Sequence, residues 1–142
     1  MIMSRYVNKA QCMVSQYSQY TFPHLDNITV NGVNTLGENI ADNGGIHETF
    51  RAYTRSVESL GSEPALPGLT QFTNQQMLFI SYAQVWCEIQ TPESLLGQVL
   101  SDPHSPGRFR VIGPLGNSED FQKEFSCPVD AAMNRPEKCQ LW

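Results

Sequence analysis

Apolar residues recur at Ile46, Phe50, Tyr53, Val57 and Leu60, stepping four, three, four, three. That single stripe predicts an amphipathic helix, which Gly61 ends. Leu36 and Ile40 continue the spacing backwards, so the segment 37–45 is expected to join the same helix. Pro64 to Gly68 form a stiff connector, after which Thr73 with Gln76 makes a capping box. The helix it opens runs through Met77, Leu78, Phe79, Ile80, Tyr82, Val85, Trp86, Cys87 and Ile89. Apolar groups on most faces are the mark of a helix buried inside a larger body. Thr91-Pro92 caps a short helix carrying Leu95, Leu96, Val99 and Leu100, and Asp102-Pro103 stops it. Residues 103–107 read as loop, Phe109 to Ile112 as a short extended segment, and Gly113-Pro114 as its break. Ser118 caps a last helix in which Phe121 and Phe125 share a face. The first twenty residues read as a helix followed by loop to about Val30, and the tail through Pro128 and Pro136 is irregular. The expected fold class is mainly α, with loops and at most short extended segments.

At 142 residues and 40% hydrophobic content, the chain is one domain or a piece of one. Its net charge of -5 gives no basic face for duplex or anionic lipid, which excludes nucleic acid and membrane-surface partners. No apolar run approaches the ~20 residues of a bilayer span, and residues 1–8 lack a signal-peptide layout. Cys12, Cys87, Cys127 and Cys139 have no zinc-gripping spacing, so disulfides are the expected use. Asn27-Ile28-Thr29 is a glycosylation acceptor. Both features lean towards an oxidising, extracellular setting, although no targeting signal is visible.

Glu38 and Asp42 lie one turn apart on one helix face. Two carboxylates so placed repel by a few tenths of a kcal/mol, or about 0.2–0.5, so either they form a solvated acidic turn or a cation compensates them. Zinc is a natural candidate, with Glu as ligand and Asp accepting the free N–H of a ligating His. Gly44 and Gly45 imply a break or a closely approaching backbone. The nearest imitation of His-Glu-x-x-His is His47-Glu48-Thr49-Phe50-Arg51, with Arg where the second ligand should stand; His24 and His47 read as surface histidines. His104 and Arg110 flank a rigid loop and could hold an oxyanion or a substrate carbonyl, or could simply pair with surface acids. Val85 and Trp86 are either core or the wall of a substrate pocket.

Four segments together carry a resemblance. They are Asn34 to Gly45, Phe79 to Cys87, His104 to Arg110, and the ending Lys138-Cys-Gln-Leu-Trp142. In this order and over nearly the whole chain they resemble the neprilysin and endothelin-converting-enzyme family of zinc metallopeptidases. The resemblance implies the C-terminal helical part of a gluzincin-type, thermolysin-like catalytic domain over residues 1–142, with the His-Glu-x-x-His helix upstream of Met1. It implies that Glu38 is the third ligand of one Zn2+, and that Asp42, often counted as catalytic, orients a zinc-bound His. His104 then stabilises the transition state, Arg110 binds a substrate carbonyl, and Val85 and Trp86 line the pocket for a bulky apolar residue. It further implies a Cys12–Cys139 bridge, with Cys87 and Cys127 pairing to upstream cysteines. Substrates would be small extracellular peptides cut on the amino side of bulky apolar residues, by an ectodomain secreted or held through an N-terminal anchor absent here. The partner of these residues would be the upstream part of the same domain, and the isolated chain is expected to be inactive. The competing expectation is a non-catalytic secreted module or decoy built from a peptidase tail.

Overall fold

The computed structural model describes residues 2–141, with Trp142 of the Cys-x-x-Trp ending outside them. It contains α1 (Ile2–Tyr17), β1 (Thr21–Phe22), β2 (Ile28–Thr29), α2 (Leu36–Leu60), α3 (Asn74–Val85), α4 (Pro92–Ser101), α5 (Gly107–Asn117) and α6 (Glu119–Glu124). The chain is mainly helical, as its patterning predicts. The stretch read as loop before Val30 instead holds a small antiparallel pair, Thr21 opposite Thr29 and Phe22 opposite Ile28. It closes because Asp26 and Asn27 adopt left-handed backbone, at φ 52° and 58°, a conformation their short polar side chains tolerate. Asn27 of the acceptor tripeptide is exposed there.

The 25-residue α2 is the central element, packed chiefly against α5 and α1. It runs unbroken through Gly44 and Gly45; of the two glycines Gly44 is buried, while a Cβ on Gly45 would meet open space. The caps form where the sequence places them. Thr73 and Gln76 exchange both bonds of the capping box, at 3.1 and 3.0 Å, Thr91 Oγ1 accepts from Ser94 N, and Ser118 Oγ accepts from Phe121 N. Each such cap stabilises its helix by about 1 kcal/mol.

Residues 109–112 are helical rather than extended. Pro114 sits inside α5 and cannot donate to the carbonyl four residues back, that of Arg110. The Tyr82 hydroxyl donates to that carbonyl instead, at 2.6 Å, so the acceptor that a mid-helix proline leaves unpaired is satisfied. Gly113 is needed because a Cβ there would collide with the Tyr17 ring.

Two apolar clusters flank α2. Met13, Tyr17, Phe22, Val30, Leu95, Val99 and Phe109 form one. Ile46, Phe50, Phe79 and Leu115 form the other, with the Phe79 ring 5.0 Å from Phe50 and 5.5 Å from Phe121. Phe79→Ala would therefore cost about 3–5 kcal/mol. The remainder of α3 departs from expectation: the helix stops at Val85, Phe79 is its one buried residue, and Val85 and Ile89 are 73% and 98% exposed. Met77, Leu78, Ile80 and Tyr82 are half-buried, Leu78 and Tyr82 against the Phe50–Phe79 cluster. A Cys12–Cys139 disulfide ties α1 to the tail across 127 residues, while Cys87 and Cys127 are free. No helix among the described residues is long and apolar enough to cross a membrane.

Candidate functional site

Glu38 lies in the first turn of α2 and Asp42 one turn later, while His104 sits in the α4–α5 loop and Arg110 in the first turn of α5. Packing of α5 on α2 brings these four side chains to one patch.

Arg110 grips Asp42 as a fork, Nε to Oδ2 and Nη2 to Oδ1, both at 2.7 Å. The two side chains are only 16% and 11% exposed. The bonds it donates to Asp42, acting against burial, hold the Arg110 guanidinium above its already high ordinary pKa, so it is a permanent cation. Its Cζ lies 3.7 Å over the Trp86 ring centre, a cation–π contact that fixes the other face of the plane. A guanidinium has five N–H donors, and Asp42 uses two of them, so Nη1 and one Nη2 hydrogen remain available to a carbonyl.

His104 stands between two carboxylates. Its Nδ1 is 2.8 Å from Asp102 Oδ1, which also accepts its backbone N–H at 2.8 Å, and its Nε2 is 3.4 Å from Glu38 Oε2. Those two bonds from His104, the backbone one foremost, hold the Asp102 carboxyl below the usual carboxylate range. With Nδ1–H given to Asp102, the neutral ring turns Nε2 towards Glu38 as an acceptor, and only the doubly protonated ring carries an N–H there. Asp102 was legible in the sequence only as a helix stop; the Asp-x-His spacing, which lets one carboxylate meet both the backbone and the ring, was the available signal. Tyr82, one of the apolar positions of α3, is a neutral donor to the Arg110 carbonyl, since burial foremost raises its pKa well above normal.

Val85 closes a shallow apolar groove of about 370 Å3 between α2 and α3, with Asp42, Ile46, Leu78 and Tyr82 among its walls. Trp86 follows it in sequence but serves the Arg110 face. A larger cavity of about 450 Å3 opens on another flank of α2, beside His47, Phe50 and Asn117, and touches none of Glu38, Asp42, His104 or Arg110. His47 there approaches Glu48 at 3.6 Å and Arg51 approaches the same carboxylate at 3.7 Å. His24 is exposed against the edge of Phe22.

Whether this patch fits zinc depends on its donors. Glu38 offers a 43% exposed carboxylate with an oxygen facing His104, which suits a single ligand. Among the described residues no three His, Cys, Asp or Glu side chains converge as a metal site. The donor set thus fits one corner of a tetrahedral zinc site and not the whole of it.

The family model for peptidase family M13 matches residues 2–141. Human endothelin-converting enzyme 1 is 50% identical over 134 residues, which are 94% of this chain and 17% of that protein. Rabbit (Oryctolagus cuniculus) neprilysin is 43% identical over 139 residues, 98% of this chain and 18% of that protein. The chain thus spans less than a fifth of the length of these relatives. The zinc metalloprotease Zmp1 of Mycobacterium tuberculosis, solved with an inhibitor, superposes with a TM-score of 0.87 at 28% identity, covering 98% of this chain and 22% of that one.

Proposed function

The chain belongs to peptidase family M13, and from that premise we propose that its residues form the C-terminal part of a zinc metalloendopeptidase catalytic domain. The observation that carries the reading is the convergence of Glu38, Asp42, His104 and Arg110, with Nε2 of His104 3.4 Å from Glu38 and Arg110 clamped on Asp42 at 2.7 Å.

In this reading Glu38 donates one oxygen to the metal, and two histidines outside residues 1–142 complete the set. A zinc ion there would supply Lewis acidity towards a peptide carbonyl and would acidify a water. Asp42 keeps lone pairs free beyond its two bonds to Arg110, and these can accept the outer N–H of a ligating histidine. His104, steadied by Nδ1–H donation to Asp102, would offer an Nε2–H to the oxygen on which charge develops in its doubly protonated, imidazolium form. Arg110 offers its unspent N–H groups to a substrate carbonyl and so fixes the peptide's register. The groove at Val85, with Trp86 beyond it, would receive a bulky apolar residue on the amino side of which the bond is cut. Small extracellular peptides are the proposed substrates. The Cys12–Cys139 bridge and exposed Asn27 support a secretory setting.

The test compares two polypeptides, the 142-residue chain and one extended at its amino end to include the histidine helix. The extended form should bind stoichiometric zinc and cleave peptides before bulky apolar residues, and chelation should abolish the cleavage. The 142-residue chain should do neither, since one carboxylate cannot hold zinc tightly. Tight zinc and hydrolysis by the short chain would mean the ligands are misassigned; an extended form without zinc or hydrolysis would favour a non-catalytic secreted module.

A further inference from the structure

The residues that follow Glu38 and His104, namely Asn39 and Ser105, point into the core, and each is 1% exposed. Ser105 Oγ donates to Asn39 Oδ1 at 2.7 Å across 66 residues of sequence. Asn39 Nδ2 donates to Thr35 Oγ1 at 2.8 Å, and the Thr35 hydroxyl donates to the Asn31 carbonyl at 3.0 Å. On the other side of His104, Asn34 Nδ2 donates to the Asp102 carbonyl at 3.0 Å. The loop is therefore tied to the start of α2 on both sides of the histidine. The direct approach of His104 to Glu38 is looser, 3.4 Å between side chains that are 42% and 43% exposed. Exposed pairs of that kind hardly fix their own geometry. A neutral bond between two buried groups does, because breaking it strands a carbonyl oxygen away from water.

We propose that the Asn39–Ser105 hydrogen bond sets the separation of Glu38 and His104, making Asn39 and Ser105 positioning residues that act through their neighbours without touching substrate. Its catalytic consequence rests on the peptidase reading; its positional content does not. The first arm uses proton NMR on the 142-residue chain. A nuclear Overhauser contact between the His104 ring and the Glu38 side chain is expected in the parent, is lost in Ser105→Ala and in Asn39→Ala, and is retained in Ser105→Thr, which keeps the hydroxyl. Contacts between the Phe50 and Phe79 rings, 5.0 Å apart, report that each variant is folded. A folded Ser105→Ala or Asn39→Ala chain that keeps the His104–Glu38 contact overturns the proposal.

The second arm uses the extended peptidase. Ser105→Ala should lower kcat about 10-fold, the effect of one mispositioned hydrogen-bonding group, with KM and zinc content little changed. Added to His104→Ala it should cost nothing more, since its effect passes through that histidine. An equal loss in both backgrounds would show a merely structural role and overturn the proposal. Absence of any hydrolysis by the extended parent would instead count against the peptidase reading, and the NMR comparison then decides alone.

Discussion

Removing Asp42 should destabilise the 142-residue chain far more than removing an ordinary surface carboxylate. The Arg110 guanidinium is 16% exposed and makes both of its Asp42 bonds at 2.7 Å, so Asp42→Ala leaves a cation with most of its water excluded. Breaking a buried pair from one side costs about 3–5 kcal/mol. The Trp86 ring, 3.7 Å from Cζ, is present in parent and variant alike and cancels, whereas the residual exposure of the pair puts the expected loss at the low end, ~3 kcal/mol. Arg110→Met keeps the stem but strands Asp42, and should cost a similar amount. The double variant should lose much less than the sum, with a coupling of about 2 kcal/mol. Urea unfolding followed by tryptophan fluorescence measures all four corners, with an unchanged m-value as the check that the unfolded reference is common. Raising salt to about 1 M should reduce the coupling only slightly, because screening acts on solvated charges. Single losses below about 1 kcal/mol that simply add would mean that Asp42 and Arg110 behave as an exposed, weakly coupled pair.

Three further outcomes follow from other contacts. Tyr82→Phe removes the donor to the Arg110 carbonyl that Pro114 leaves unpaired, and should cost about 1–3 kcal/mol in the same urea assay; restoring a backbone donor with Pro114→Ala in the same chain should recover part of it. Asp102 has a folded-state pKa held low, so its contribution is present above the ordinary carboxylate range and lost as pH falls through the depressed value; stability profiles of the parent and Asp102→Asn should diverge above that range and converge in acid, measured by thermal melts across pH. Reducing the Cys12–Cys139 bridge opens a loop spanning 127 residues and should cost ~5 kcal/mol on chain-entropy grounds, read as a large drop in the unfolding midpoint with dithiothreitol; an unchanged midpoint would refute that ledger.

What the sequence revealed and what it hid have a common physical cause. Thr73, Thr91 and Ser118 announce their helices because a cap is a local event within four residues, and all three caps formed. The Ile46 to Leu60 stripe announces α2 because an apolar face repeats at helical period, although only Ile46 and Phe50 of it are buried and Leu60 is exposed. The helical state of 109–112 was hidden because the compensation for Pro114 comes from Tyr82, on another helix. The Asp26–Asn27 turn was hidden because left-handed backbone leaves no hydrophobic period. In the site, the Glu38 and Asp42 pair was legible from spacing alone, whereas Asp42 with Arg110 and Asn39 with Ser105 join segments more than sixty residues apart. No periodicity encodes such partners. The many-sided burial expected of α3 is not met within the described residues, where Val85 is exposed and Phe79 alone of the helix is fully buried.

The assignment of Glu38 to zinc is tested most directly by metal retention in the amino-terminally extended polypeptide, carrying Glu38→Gln beside its parent and an Asp42→Asn control. Dialysis against a graded zinc chelator followed by elemental analysis should show the Glu38→Gln protein losing its metal at far lower chelator strength, by about 100-fold or more if one of three ligands is gone, and Asp42→Asn losing it by about 10–100-fold, as a support to a ligating histidine would. Retention by Glu38→Gln equal to the parent, with peptide hydrolysis intact, would contradict it.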